Sequence, residues 1–338
     1  MTDYESAGVS LDAAEQLVEE IGWRVTATWT EDVIGGFGGF AAGIRVPAGY
    51  TNPVLMMSTD GVGTKAELAR VTGLVEGLGY DLVAMVADDL ASAGAQPIAM
   101  TDYIAVGQLD IDRVSMLIES IAEAADESEI ALLGGETAEH PGVLDPDRFD
   151  LAATALGIVE HGDEVDGSKI VEGDVVIGVH SPNLRANGFS LVRALVVDQL
   201  SLDEPFPDTD VPAAEVLLEP SVVYAPAVNN ALARAEAHGL AHITGGGLPG
   251  NLVRVLPAGM RARIDTSLWE VPHVFQVIQR LGGIDRAEMF RTFNMGIGFV
   301  VIASPDDVER FMRAFEMYEH DTSIIGEIIT GDRGIELH

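Results

Sequence analysis

Short apolar runs alternate along the chain with stretches in which apolar residues recur every three or four positions. The runs at residues 54–57, 98–106, 130–133, 151–159, 175–179 and 298–303 are rich in β-branched side chains and bordered by glycine, which predicts strands. Helical spacing joins Leu11, Ala14, Leu17, Val18 and Ile21, and again Val114, Leu117, Ile118 and Ile121, the second set preceded by a capping acid, Asp110 or Asp112. Ser304-Pro305-Asp306 announces a further helix, and residues 66–70 read as another. This alternation predicts a mixed α/β fold rather than a bundle or a sandwich.

A chain of 338 residues exceeds the size at which a single hydrophobic core keeps growing, so two domains are expected. Residues 161–168, His-Gly-Asp-Glu-Val-Asp-Gly-Ser, are polar and turn-rich between two apolar runs. They place the boundary near residue 165, giving an N-terminal domain over 1–165 and a C-terminal domain over 166–338.

Charge changes the picture more than composition does. The chain carries 54 acids against 19 bases, a formal net charge of −35 distributed along its length. Such a surface repels nucleic acid and anionic membranes and strains the compact state unless salt screens it, so adaptation to high salt is the natural expectation. Cysteine is absent, which excludes disulfides, thiolate nucleophiles, zinc–thiolate sites and iron–sulfur clusters. The first residues lack a signal-peptide pattern and no run of about 18 apolar residues occurs, so a cytoplasmic protein is expected.

Only two lysines are present, and Lys65 closes the run Ser58-Thr59-Asp60-Gly61-Val62-Gly63-Thr64-Lys65. A compact ammonium beside two glycines and an acid suits phosphate contact, with Asp60 on a metal and the following helix offering its first amides. The spacing differs from that of a P-loop. A surface turn carrying one solvated lysine would read the same way. Asp60, Asp88, Asp89 and Glu136 sit among small and apolar residues, where unpaired carboxylates are costly, and they are the candidate ligands for magnesium. His242, beside Thr244, Gly245, Gly246 and Gly247, is either a proton-transfer group or a structural histidine.

Taken in order, the segments resemble the phosphoribosylformylglycinamidine cyclo-ligases, also called aminoimidazole ribonucleotide synthetases. The resemblance runs through Tyr4 with Ala7-Gly8-Val9, Gly38-Gly39-Phe40, the run ending at Lys65, Asp81-Leu82-Val83-Ala84-Met85 with Asp89-Leu90, and Gly94-Ala95-Gln96-Pro97. It continues through Asp102-Tyr103, Gly134-Gly135-Glu136-Thr137-Ala138-Glu139, Asp166-Gly167-Ser168, Asn187-Gly188-Phe189-Ser190-Leu191, the His242 segment and Arg291-Thr292-Phe293-Asn294. It implies two α/β domains per protomer and a homodimer in which the N-terminal domains form a shared barrel, with ATP bound near the interface.

The reaction it implies is ATP-dependent closure of the imidazole ring of formylglycinamidine ribonucleotide in purine biosynthesis. The roles carried over are Asp60, Asp88, Asp89 and Glu136 on Mg2+; Asp60, Gly61, Val62, Gly63, Thr64, Lys65, Gly135, Glu136 and Thr137 on ATP; and Asn187, Gly188, Thr244, Gly245, Gly246 and Gly247 on the substrate. His242, Lys65 and Asp89 are the catalytic candidates. The chain departs from the pattern at Asp88, where asparagine is common, and at Arg185-Ala186, where histidine and serine precede Asn-Gly. Relatives of like architecture keep a thiamine monophosphate kinase-like phosphotransferase and a non-catalytic ATP-binding scaffold open as alternatives. A selenophosphate synthetase or the hydrogenase factor would need a cysteine that this chain lacks.

Overall fold

The computed structural model describes residues 10–338, apart from the side chains of residues 11 and 196–198; Tyr4 and Ala7-Gly8-Val9 lie outside the described residues. The chain divides into two compact units that are not single stretches. The first gathers the residues through Leu90, Pro97–Glu160 and the short return Pro220–Val223; the second holds Ala91–Gln96, His161–Glu219 and Tyr224–His338. No helix among the described residues is long and apolar enough to cross a membrane.

In the first unit the order is α1 (Leu11–Ala27), β1 (Val33–Ile34), β2 (Gly43–Ile44), β3 (Pro53–Gly61), α2 (Lys65–Thr72), α3 (Leu78–Ser92), β4 (Gln96–Val106), α4 (Ile111–Glu127), β5 (Ala131–Glu139) and β6 (Phe149–Glu160). Four strands form one sheet in the order β3-β6-β4-β5, with β3 antiparallel to β6 and β4 parallel to β5. Asp110, not Asp112, caps α4, its carboxylate accepting from the Arg113 amide at 3.2 Å. The four apolar positions of the α4 pattern, Val114, Leu117, Ile118 and Ile121, are buried. Ser10 caps α1, and its far end is tied to β5 by the Trp29 indole donating to the Leu132 carbonyl at 2.7 Å and by the Leu132 amide donating to Thr28 Oγ1 at 2.9 Å.

β3 alternates in exposure from Pro53 to Thr59, and Asp60 near its end is exposed. Ser58 and Asp60 share the face turned toward the helices, and Leu55 and Met57 share the open one, because side chains two residues apart in a strand point the same way. β5 runs on through Gly134-Gly135-Glu136, beyond the β-branched residues that predict it, since the parallel ladder with β4 extends to Glu139.

The second unit contains β7 (Val175–His180), α5 (Phe189–Gln199), α6 (Ala213–Leu218), α7 (Ala225–Leu232), β8 (Ala237–His242), α8 (Gly247–Val255), β9 (Met260–Ile264), α9 (His273–Gly282), α10 (Arg286–Thr292), β10 (Ile297–Ala303), α11 (Val308–Glu316), β11 (Thr322–Thr330) and β12 (Gly334–Leu337). Its six strands run β12-β9-β11-β7-β10-β8. All seven residues of β10 are buried, which fits a strand with neighbours on both edges, antiparallel to β7 and to β8. Phe275, Phe293, Phe311 and Phe315 are buried in the same unit.

Candidate active site

The loop after β3 is shaped by its ends. Val62 is buried, Gly63 takes a left-handed φ of +67°, and the Ala66 amide donates back to the Gly63 carbonyl at 3.1 Å to start α2. Gly63 and Thr64 remain exposed, so the backbone of this turn faces solvent. Asp60 Oδ1 accepts from the Gly61 amide at 2.7 Å, and on the same strand face Ser58 donates to Asp89 Oδ2 at 3.0 Å. Asp60 and Asp89 therefore flank one end of β3.

Lys65 does not act as the mobile surface cation its position suggests. Its side chain turns inward and is fully buried, with Nζ 2.9 Å from Asp81 Oδ1 and 2.7 Å from Asp81 Oδ2. The Ser221 amide donates to the same Oδ1 at 3.0 Å, and the Ser221 hydroxyl donates there too. Burial pushes the Asp81 carboxyl up, and the Lys65 ammonium and the Ser221 donors oppose that rise. Two charges withdrawn from water hold only when paired and hydrogen-bonded, which is why this lysine and this acid are found together. The pair sits under the first turn of α2 and fixes the loop above it.

A second locus lies on β4 and β5. A cleft of about 590 Å3 is lined by residues 134–139 of β5, Asp102, the glycine-rich residues 36–39, and apolar side chains of α1 and α4 such as Leu17 and Ile118. Asp102 stands opposite Gly135 in the ladder, and a Cβ on residue 135 would lie 2.1 Å from Asp102 Oδ1, so only glycine fits there. Burial pushes the Asp102 carboxyl up to about 7, with the Glu136 charge adding to the rise, although part of the side chain still reaches solvent. Glu139 is occupied structurally, accepting from the Leu109 and Ser10 amides at 2.8 and 3.1 Å.

The four acids expected to hold metal do not form one cluster. β3 and β5 are the opposite edges of their sheet, three strand spacings or roughly 14 Å apart, so Glu136 stands away from Asp60. Successive helical residues point about 100° apart, so Asp89 reaches Ser58 while Asp88 is buried. Among the described residues no group of three or more His, Asp or Glu side chains is placed to hold a metal ion. The donor set that remains, Asp60 and Asp89, suits a cation held mainly by phosphate oxygens and water.

The second unit brings its expected residues together. His242 ends β8, buried, with its ring stacked on Phe299 at 6.4 Å and 26°. Thr244 to Gly247 form a turn into α8, closed by the Gly247 amide donating to the Thr244 carbonyl at 2.9 Å. Buried Asn251 donates from Nδ2 to the carbonyls of Thr244, Gly245 and Gly247 at 3.2, 3.2 and 2.9 Å, which turns those oxygens inward. A Cβ on Gly245 would stand 3.5 Å from Asn187 Oδ1, so the Asn187-Gly188 corner approaches the turn.

Asp81, Asp102 and Asn251 escape a reading of the residue pattern for site residues. Asp102 carried the clearest signal, an acid inside an apolar strand; Asp81 and Asn251 carried none, because their partners are fixed only by folding.

Residues 38–159 match the model of the AIR synthase related protein N-terminal domain, and residues 171–337 match that of its C-terminal domain. A phosphoribosylformylglycinamidine cyclo-ligase of Pseudothermotoga lettingae is 42% identical over 332 residues, covering 98% of each chain. Among solved structures, thiamine-monophosphate kinase from Stenotrophomonas maltophilia K279a superposes with a TM-score of 0.68 at 19% identity, over 94% of this chain and 95% of that one. Hydrogenase maturation protein HypE in complex with ATP does so with a TM-score of 0.70 at 18% identity, over 98% and 93%. The last two share the fold. The chain belongs to the AIR synthase related family, on the branch of the phosphoribosylformylglycinamidine cyclo-ligases.

Two outcomes follow from the first unit. Asp81→Asn strands a buried ammonium and should lower unfolding stability by about 3–5 kcal/mol, whereas the paired change Lys65→Met with Asp81→Leu should recover most of it, both read by denaturant unfolding. Asp102, with its folded pKa above the unfolded value near 3.9, binds its proton more tightly when folded, so stability should fall as pH rises from about 4 to 7. Asp102→Asn should remove that slope, as thermal midpoints across this range would show.

Proposed function

We propose that this chain is an ATP-dependent cyclo-ligase that closes the imidazole ring of formylglycinamidine ribonucleotide, giving 5-aminoimidazole ribonucleotide, ADP and phosphate in purine biosynthesis. The observation that carries the reading is the 42% identity to a cyclo-ligase over nearly the whole of both chains. The thiamine monophosphate kinase alternative has only a shared fold at 19% identity behind it.

The formyl oxygen attacks the γ-phosphorus and the bond to the bridging oxygen of ADP breaks. An amidine nitrogen then forms its bond to the activated carbon, and the carbon–oxygen bond breaks with release of phosphate and loss of a proton from nitrogen. Phosphorylation converts an amide-type oxygen, a poor leaving group, into a good one. Little covalent chemistry is asked of the protein, whose tasks are to place the reactants, neutralise charge and exclude water.

The first unit supplies the phosphate end. Gly63 and Thr64 are exposed where ATP oxygens would lie, and the Lys65–Asp81 pair holds that backbone from beneath. Asp60 and Asp89 would hold Mg2+ together with nucleotide oxygens. Magnesium, when bound, neutralises charge on the transferring phosphoryl group. Gly135, Glu136 and Thr137 line the cleft in which the remainder of ATP fits, its apolar floor matching a purine. In the second unit the Asn187-Gly188 corner and the turn at residues 244–247 would bind the substrate's phosphate or ribose, and His242 would take or hold the proton that nitrogen sheds.

A homodimer in the cytoplasm completes the reading. Leu55, Met57 and Tyr103 leave a large apolar area exposed on the first unit's sheet, and a second copy placed on it would cover that area and close a barrel. The net charge of −35 supports life in concentrated salt, where the Debye length shrinks to about 3 Å at 1 M.

Phosphate release from ATP and magnesium should occur with formylglycinamidine ribonucleotide and yield an aminoimidazole; release with thiamine monophosphate instead would move the chain to the kinases. In a dialysis series, unfolding stability should climb steadily from low to molar potassium chloride. Equal stability at both ends would remove the argument for salt adaptation.

A further inference from the structure

Arg185 is the largest fully buried side chain among the described residues, and it takes a left-handed φ of +58°, a conformation that a long side chain adopts only when its surroundings impose it. Its amide donates to Asn183 Oδ1 at 3.0 Å, and the Asn183 carbonyl accepts from Asn294 Nδ2 at 2.9 Å. The loop that leads to Asn187-Gly188 is therefore pinned both to itself and to the Arg291-Thr292-Phe293-Asn294 segment.

The guanidinium lies 4.8 Å from the centre of the Tyr224 ring, and Nη1 donates to the Gly298 carbonyl at 3.3 Å. That carbonyl also accepts from the Ile243 amide at 2.9 Å, one residue beyond His242. Gly298 permits the arrangement, since a Cβ there would stand 2.2 Å from the Tyr224 hydroxyl. The rings continue the column, Tyr224 tilted 48° against Phe299 at 5.9 Å and Phe299 stacked on His242 at 6.4 Å and 26°. A buried cation thus heads a column of three rings whose last member is the proposed proton-transfer histidine.

We propose that Arg185 is a positioning residue for the ring-closing step. Through Tyr224 and Phe299 it fixes the plane of the His242 ring, and through Gly298 it holds the backbone at Ile243 against the loop carrying Asn187. The inference rests on the cyclo-ligase reading for what His242 does, but the column exists independently of it. A compact ammonium could keep the charge of Arg185, yet it lacks the flat, forked shape that stacks on a ring and reaches a carbonyl at once. If Arg185 only filled space, losing it would reduce the folded fraction and affect every activity in proportion.

The test uses the full chain with Arg185→Lys, Arg185→Ala and, at the second member of the column, Tyr224→Leu. Arg185→Lys should lower kcat for aminoimidazole formation by about a hundredfold, the loss typical of a misplaced reacting group, while the Kd for ATP stays within about twofold. Methylguanidine should restore part of the turnover of Arg185→Ala. The ring nitrogen resonances of His242 should move in Arg185→Lys and Tyr224→Leu, a readout that needs no turnover. Unchanged His242 resonances, kcat within twofold of the parent, or ATP affinity and kcat falling together with the folded fraction would each overturn the proposal. A parent protein that makes no aminoimidazole would instead overturn the functional reading, leaving the His242 resonances to decide the column.

Discussion

The glycine-spaced loop after β3 depends on one buried ion pair. Lys65 and Asp81 carry the two charges, and the amide and hydroxyl of Ser221 complete the shell around the carboxylate. Buried pairs of this kind add little net stability over a well-packed apolar pair, but breaking one is expensive, so they specify an arrangement more than they strengthen it. Here the arrangement specified is the start of α2 and the exposed residues Gly63 and Thr64 before it. Ser221 reaches Asp81 across 140 residues of chain, from the short return Pro220–Val223 that groups with the first unit. The loop is thereby held by a segment far along the chain, and its shape is a tertiary property.

Both glycine turns follow the same logic. Each is held from behind by interior polar side chains, the Lys65–Asp81 pair beneath the first and Asn251, bonded to three carbonyls, beneath the turn at residues 244–247. Preorganised amides stabilise developing negative charge without reorganising at the moment of reaction, which is what transfer of a phosphoryl group requires. Interior side chains set the geometry, and the turns present it.

Much of this was legible in the residue pattern. β-branched runs located β3, β4, β6, β7, β10 and the start of β5 but not the nine-residue β11, and the spacing of Val114, Leu117, Ile118 and Ile121 located α4 and narrowed its capping acid to Asp110 or Asp112. Strands with a poor signal escaped it: β8 reads Ala-His-Gly-Leu-Ala-His, and β5 continues through two glycines because its ladder partner continues. The site was legible by residue type and not by arrangement. Lys65 stands out in a chain with two lysines, but its burial depends on Asp81, sixteen residues away on another helix. Asp60 and Glu136 both sit beside glycine, yet strand order puts them on opposite edges of a sheet, and no spacing along the chain encodes strand order.

The central claim is chemical, that ATP activates the formyl oxygen and that this oxygen leaves with phosphate. Formylglycinamidine ribonucleotide carrying an isotopic label in its formyl oxygen tests it directly. In a single turnover with ATP and magnesium, the label should appear quantitatively in inorganic phosphate, by its mass or by its shift in phosphorus resonance. Label recovered in water, with phosphate unlabelled, would contradict the account.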